Sequence, residues 1–125
     1  MLPTMATIAL FAVVGAWARY GQTLLIQKWL GRDFPWATLS INVIGSFLMG
    51  FLFFATLERI SISPELRTGI LTGGLGAYTT FSTFSVESLL LFEGGEPIKS
   101  FVYMITSLLL CFIATLVGSW ISRNV

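Results

Sequence analysis

The residues best equipped for chemistry lie in Gly73-Gly74-Leu75-Gly76-Ala77-Tyr78-Thr79-Thr80-Phe81-Ser82-Thr83-Phe84-Ser85-Val86-Glu87. Phe81 and Phe84 are three apart, so on a helix both rings share one face. Ser82 and Ser85 repeat that spacing beside them, and Thr80, Thr83 and Glu87 run as a neighbouring stripe. A phenylalanine face usually serves a core or a lipid contact. A row of hydroxyls next to it is less usual, because each must find a partner. Aromatic rings carry a positive edge, so an anion can meet ring hydrogens in plane while hydroxyls donate from another side. Cations would instead favour ring faces, carbonyls or carboxylates. Asn42 adds an amide with two N–H donors and one acceptor, followed one turn later by Gly45 and Ser46 on roughly the same face. A lone asparagine in a membrane span commonly serves packing alone; taken with the phenylalanine and hydroxyl stripes, a functional role is favoured. Amide, hydroxyl and ring-edge donors with one acid at the end suit a small anion. Any halide accepts such hydrogen bonds.

The elements that must carry these residues are membrane spans. The chain has 125 residues, room for one domain. Hydrophobic residues make up 55% and charged residues 10%, far from the usual charge content of soluble domains. Charges divide the sequence cleanly: residues 34–57 form an uncharged run of 24, Thr68–Val86 a run of 19, and Ser100–Ser122 a run of 23. Met1–Ala18 is also uncharged, and its apolar pattern resumes past Arg19 to Ile26. Crossing the hydrocarbon takes about 20 apolar residues as a helix, so four transmembrane helices are expected, near 4–27, 36–58, 65–92 and 99–122. No Lys or Arg precedes the first span, which argues against a secretory signal. Pro3, Pro35, Pro64 and Pro97 all fall at a terminus or boundary, and Ser63-Pro64-Glu65 reads as an N-cap, a first-position proline and a first-turn acid.

The third span is unusual. Of its 19 uncharged residues, 11 are Gly, Ser or Thr. Glycines 73, 74 and 76 are expected to break the helix near 73–79. Irregular backbone at membrane depth persists only where protein or a polar cavity satisfies it, and such breaks accompany ion paths. Freed carbonyls there could bind a cation such as sodium, and the N–H groups that follow would present a positive helix end. Close helix packing is the plainer alternative.

Arg19 falls late in the first span, four residues after Gly15. A charge within a span often marks function, whereas one near a helix end can snorkel to the interface; capping free carbonyls is compatible with both. Tyr103, near the start of the fourth span, reads as an interfacial belt residue. There is no histidine, and the single cysteine, Cys111, leaves no intrachain disulfide.

Four spans put both termini on one side with Arg59, Arg67 and Arg123, and leave Lys28, Arg32 and Lys99 on the other. Orientation follows the difference in positive charge between the two faces. That difference is zero here, which points to insertion both ways and pairing as an antiparallel dimer. Four thin helices hardly enclose a polar path alone, and twofold symmetry doubles the walls. Ser46-x-x-x-Gly50 offers a small-residue surface for close helix approach.

Three motifs together resemble the Fluc/CrcB fluoride channel family. Gly76-Ala77-Tyr78-Thr79-Thr80-Phe81-Ser82-Thr83-Phe84-Ser85-Val86-Glu87 is similar to its third-helix signature. Pro35-Trp36-Ala37-Thr38-Leu39-Ser40-Ile41-Asn42-Val43-Ile44-Gly45-Ser46-Phe47 resembles its second-helix pattern, with Ala37 where the family usually has glycine. Gly15-x-x-x-Arg19 matches its first-helix motif, and Ala77-Tyr78 replaces the commoner Gly-Leu. The resemblance implies an all-α integral membrane protein of four spans with a broken third helix, assembled as a dual-topology antiparallel homodimer with two fluoride pores. By position, Phe81 and Phe84 would be the pore phenylalanines and Asn42 the pore amide. Ser82, Thr83 and Tyr103 would belong to a polar track, with Glu87 near its end. Backbone carbonyls of Gly76 and Thr79 from both subunits would hold a central structural sodium ion. The implied activity is passive, selective export of fluoride across a prokaryotic plasma or inner membrane, not catalysis.

Other classes predict different residues. A proton-coupled small multidrug exporter shares the length and four spans but needs an embedded acid, typically in the first helix. That helix has none here, so the exporter would have to use Glu87. A structural subunit of a larger complex gives no reason for paired phenylalanine and hydroxyl stripes. No Gly-Lys-Ser/Thr phosphate loop and no nucleophile–base pair is visible, so neither a nucleotide, a nucleic acid nor an enzymatic substrate is expected.

Overall fold

The computed structural model describes residues 1–125 and is helical throughout. Helix α1 runs Leu2–Leu30, α2 Trp36–Glu58, and α6 Pro97–Asn124; each is long and apolar enough to cross a membrane. Between α2 and α6 the chain is segmented into α3 (Pro64–Thr68), a π-helical stretch (Gly69–Leu75), α4 (Gly76–Tyr78) and α5 (Phe81–Glu93). At 29 residues and about 1.5 Å per residue, α1 is about 43 Å long and outreaches the hydrocarbon core.

Boundaries follow their local chemistry. Ser63 caps α3, its side chain accepting the Leu66 N–H at 3.2 Å, with Pro64 in the first turn. Gly31 ends α1 at φ 77, a conformation that favours glycine. The two ends of the bundle carry separate sets of charges. At one, Arg67 donates to Thr56 Oγ1 at 2.9 Å and to the Phe53 carbonyl at 3.0 Å, while Arg123 lies 3.8 Å from Glu58 and over the Phe54 ring. Thr7 near the chain start donates to the Glu65 carbonyl at 2.8 Å, so both termini share that end. At the other, Lys99 reaches the Asp33 carbonyl at 3.4 Å.

The exterior is oily, and the interior, around two small apolar clusters, is rich in small and polar residues. Leu10, Trp17 and Trp120 are exposed, whereas Thr38, Ser88, Ser100, Ser107 and Ser122 are buried. In water this would be inside out; in lipid, apolar side chains gain nothing by leaving the surface, and small residues let backbones approach.

Two glycine seams hold the bundle together. Gly50 lies against the Thr115 carbonyl and Gly118 against the Phe47 carbonyl, joining α2 to α6. Thr115 Oγ1 adds a bond to the Ser46 carbonyl at 3.2 Å. The Ser46–Gly50 surface therefore serves packing within one chain. The second seam joins α1 to the π-helical stretch: Gly15 lies against the Gly74 carbonyl, Gly69 against Thr7, and Gly73 against Ile8. Gly118→Leu is expected to force α6 from α2, since the added atoms meet backbone that cannot yield. The checkable result is loss of the monodisperse peak in detergent gel filtration and a lower unfolding temperature. A wild-type profile would contradict this account of the seam.

The glycines do not interrupt the third segment where their number suggested. Gly73, Gly74 and Gly76 stay helical; at Gly73 the missing side chain admits α1, where a Cβ would meet Ile8, while a Cβ at Gly74 or Gly76 would find room. The helical turns end at Tyr78. Thr79 (φ −82, ψ 160) and Thr80 (φ −151, ψ 120) are extended, and α5 begins at Phe81.

Candidate functional site

Two extended residues inside a membrane-length segment leave peptide groups that lipid cannot satisfy. Asn42 of α2 takes both of those of Thr80. Its Nδ2 donates to the Thr80 carbonyl at 3.0 Å, and its Oδ1 accepts the Thr80 N–H at 2.9 Å. This two-way amide clamp uses a side chain that both donates and accepts, and leaves one Nδ2 hydrogen over. Thr80 is also the N-cap of α5: its Oγ1 accepts the Thr83 N–H at 3.2 Å and lies 3.0 Å from Thr83 Oγ1.

The clamp sets the start of α5 and so the two rings. Phe81 and Phe84 stand with centroids 5.4 Å apart and planes at 48°. Phe84 is buried, and its centroid is 5.2 Å from that of Tyr103; Phe81 is 73% exposed in the single chain. Both border a cavity of about 330 Å³ together with Asn42, Ser46, Thr80 and Ser107. The hydroxyls of Ser85 and Ser88 return to the helix, donating to the carbonyls of Phe81 at 2.9 Å and Phe84 at 2.8 Å. Ser82 is exposed, 3.5 Å from Thr80 Oγ1.

One turn past the rings, Glu87 accepts from two buried hydroxyls: Tyr103 at 2.9 Å on Oε1 and Thr38 at 3.0 Å on Oε2. Tyr103 is fully buried, not a belt residue. Its ring packs edge-on against Phe34 and beside Phe84, and its hydroxyl points at the acid, so the polar tip that usually seeks the headgroups is satisfied inside. Glu87 also borders a second cavity of about 280 Å³ with Arg32 and Gln27 at the charged end of the bundle.

Arg19 resolves to the capping role. Its Nε donates to the Ala77 carbonyl at 3.1 Å, at the end of the turns that stop before Thr79. Nearby, Tyr78 donates to Gln22 Oε1, and Gln22 donates onward to Ser40 at 3.0 Å. The structure thus brings Arg19, Asn42, Thr79, Thr80, Phe81, Thr83 and Phe84 around one interruption, with Glu87 and Tyr103 one step along α5.

Sequence reasoning passed over Thr38, Gln22 and Ser107. Thr38 was readable, because Thr38, Asn42 and Ser46 recur at spacing four and so line one helix face. Gln22 carried no such signal; only the fold brings it to Tyr78.

An oily exterior, a small-residue interior and a clamped interruption flanked by aromatic rings define a polytopic helical membrane protein with an internal polar site. The chain belongs to the CrcB family, described as CrcB-like protein, Camphor Resistance, whose pattern it matches over residues 6–119. It is 72% identical over 124 residues to the Fluoride-specific ion channel FluC of Acidithiobacillus ferrooxidans, with 99% of each chain covered. The protein of the same name from Magnetococcus marinus is 44% identical over 119 residues, covering 95% of this chain and 97% of the relative. That of Geobacter sulfurreducens is 42% identical over 123 residues, covering 98% and 99%.

Proposed function

We propose that this chain is a fluoride channel, carrying the ion passively and selectively out of the cell. The observation that supports it best is the Asn42 clamp on Thr80, which sets the Phe81 and Phe84 rings beside a cavity at membrane depth that Ser46 and Thr80 also border. Fluoride is small and strongly hydrated, so a path for it must replace lost water with many donors. Ring edges of Phe81 and Phe84, the spare Asn42 hydrogen, and the hydroxyls of Ser82, Thr83 and Tyr103 are such donors. Glu87, already bonded by Thr38 and Tyr103, stands at the end of this track and competes with the ion for the same two hydroxyl protons. That competition keeps the ion from binding too tightly to leave.

The working unit in this reading is an antiparallel, dual-topology homodimer in a prokaryotic plasma or inner membrane, with two conduits. Balanced positive charge and the exposure of Phe81 support it. A structural sodium ion at the dimer centre suits the end of α4. The Thr80 N–H is taken by Asn42, so the Gly76 carbonyl lacks its helical donor, and Thr79, whose N–H closes the last helical bond to the Leu75 carbonyl, turns extended beyond it. Such carbonyls are hard oxygen donors at the negative end of a helix dipole. Gly76 and Thr79 of each subunit would hold the ion, whose charge would fix the two interruptions face to face. The drug-exporter alternative finds no support in the family or in the hydroxyl-bound Glu87.

The direct test is fluoride efflux from proteoliposomes, followed with a fluoride electrode, with valinomycin and a potassium gradient carrying the counter-charge. Fast fluoride release with little chloride movement is the expected result. Folded, reconstituted protein that releases no fluoride would defeat the reading.

A further inference from the structure

Three side chains that fluoride passage leaves unused form a continuous line of donors behind the interruption. Tyr78, the last residue of α4, donates its hydroxyl proton to Gln22 Oε1 on α1. Gln22 Nε2 donates to Ser40 Oγ on α2 at 3.0 Å, and Ser40 donates to the Ala37 carbonyl at 2.8 Å. Every donor in the line points the same way, so each bond polarises the next. The Tyr78 ring is buried and, with the Thr79 methyl, lies against Gly45 of α2. Arg19, three residues before Gln22 and so on the same face of α1, donates to the Ala77 carbonyl at 3.1 Å. Arg19 thus occupies that oxygen, while the Gly76 carbonyl, whose helical donor Asn42 has taken, stays without one. The interruption is gripped on both sides: Asn42 holds the residue after Thr79, and Gln22 holds the residue before it.

We propose that Tyr78, Gln22 and Ser40 are positioning residues for sodium binding: they tie the end of α4 to α1 and α2 and so aim the Gly76 and Thr79 carbonyls. The role rests on the sodium reading of those carbonyls given above. A carbonyl is a hard oxygen donor, useful to a cation only where it points at it, and Tyr78 stands between the two residues. Anchored at its hydroxyl and packed at its ring, Tyr78 cannot turn against α2, and the peptide groups around it keep their direction. Partners that orient a metal's ligands typically account for about ten- to a hundredfold of its affinity.

The experiment follows thermal unfolding of the detergent-solubilised protein as sodium chloride replaces choline chloride at constant ionic strength. Choline is too bulky for a carbonyl site, so a rise in unfolding temperature reports sodium bound to the folded protein. The double variant Gln22→Leu/Tyr78→Phe removes donor and acceptor together, and Ser40 keeps its bond to Ala37, so no partner of the chain is stranded. Its sodium midpoint is expected about ten- to a hundredfold above that of wild type. Its fluoride efflux should fall in low sodium and recover in high sodium. Tyr78→Phe and Gln22→Leu alone should each shift the midpoint as far as the double variant, because all three cut one chain. A merely structural chain would lower the unfolding temperature equally at every sodium concentration, and an unmoved midpoint overturns the proposal. Single shifts that add up in the double variant overturn the shared chain. Wild type whose unfolding ignores sodium would remove the sodium site itself, and the positioning role with it.

Discussion

Asn42→Ala is expected to abolish fluoride efflux and to weaken the fold at the same time. The substitution leaves the Thr80 N–H and carbonyl without partners, and each such group costs about 1–3 kcal/mol when buried, more in hydrocarbon. With the clamp gone, nothing on α2 fixes where α5 begins, so the Phe81 and Phe84 rings lose their setting. Asn42→Asp separates the two effects. The carboxylate can still accept the Thr80 N–H but cannot donate to the carbonyl, and it puts a negative charge on the proposed anion path. A barrier raised by about 3 kcal/mol lowers a rate roughly a hundredfold. Asn42→Asp should therefore lose efflux by about that factor while unfolding closer to wild type than Asn42→Ala does. Efflux at the wild-type rate in either variant would remove Asn42 from the path.

Phe84→Ile should cut efflux with a smaller effect on stability. The ring is buried between Phe81 and Tyr103, with centroids 5.4 and 5.2 Å away. Isoleucine keeps most of the apolar contact but has no quadrupole, so it offers the anion no positive edge. An aromatic contact of about 0.5–1.5 kcal/mol corresponds to a loss of up to roughly tenfold if it is made at the rate-limiting point. Side-by-side efflux traces and thermal unfolding in detergent check both halves. Unchanged efflux from a stable Phe84→Ile protein would assign the ring to packing alone.

Some of the site was legible because it lies in one stretch of chain. Phe81, Phe84 and the hydroxyls between them are neighbours on α5, and helical periodicity alone predicts their common face. Asn42 was legible as a polar outlier in an apolar run. What it bonds to was not, because Thr80 lies 38 residues away and meets it only when α2 packs beside the interruption. Tyr103 shows the same limit more sharply. Its position near the start of α6 suits an interfacial tyrosine, yet Glu87 on α5 supplies a partner inside the bundle. The glycines of the third segment mislead for a related reason. A missing Cβ serves a broken helix and a close helix contact equally well, and the presence of α1 against Gly69, Gly73 and Gly74 selects the second.

The sequence by itself determined the class of molecule, its helical and membrane-embedded character, the charge balance of its two ends and the family. These depend on composition and on periodicities that act over a few residues, and on a match that runs the length of the chain. Tertiary structure alone decided where the third segment leaves the helix, which side chains hold it there, and that Tyr103 and Thr38 converge on Glu87. Those outcomes depend on which donor finds which acceptor. In a medium without water to substitute, that pairing is fixed only when the helices have packed.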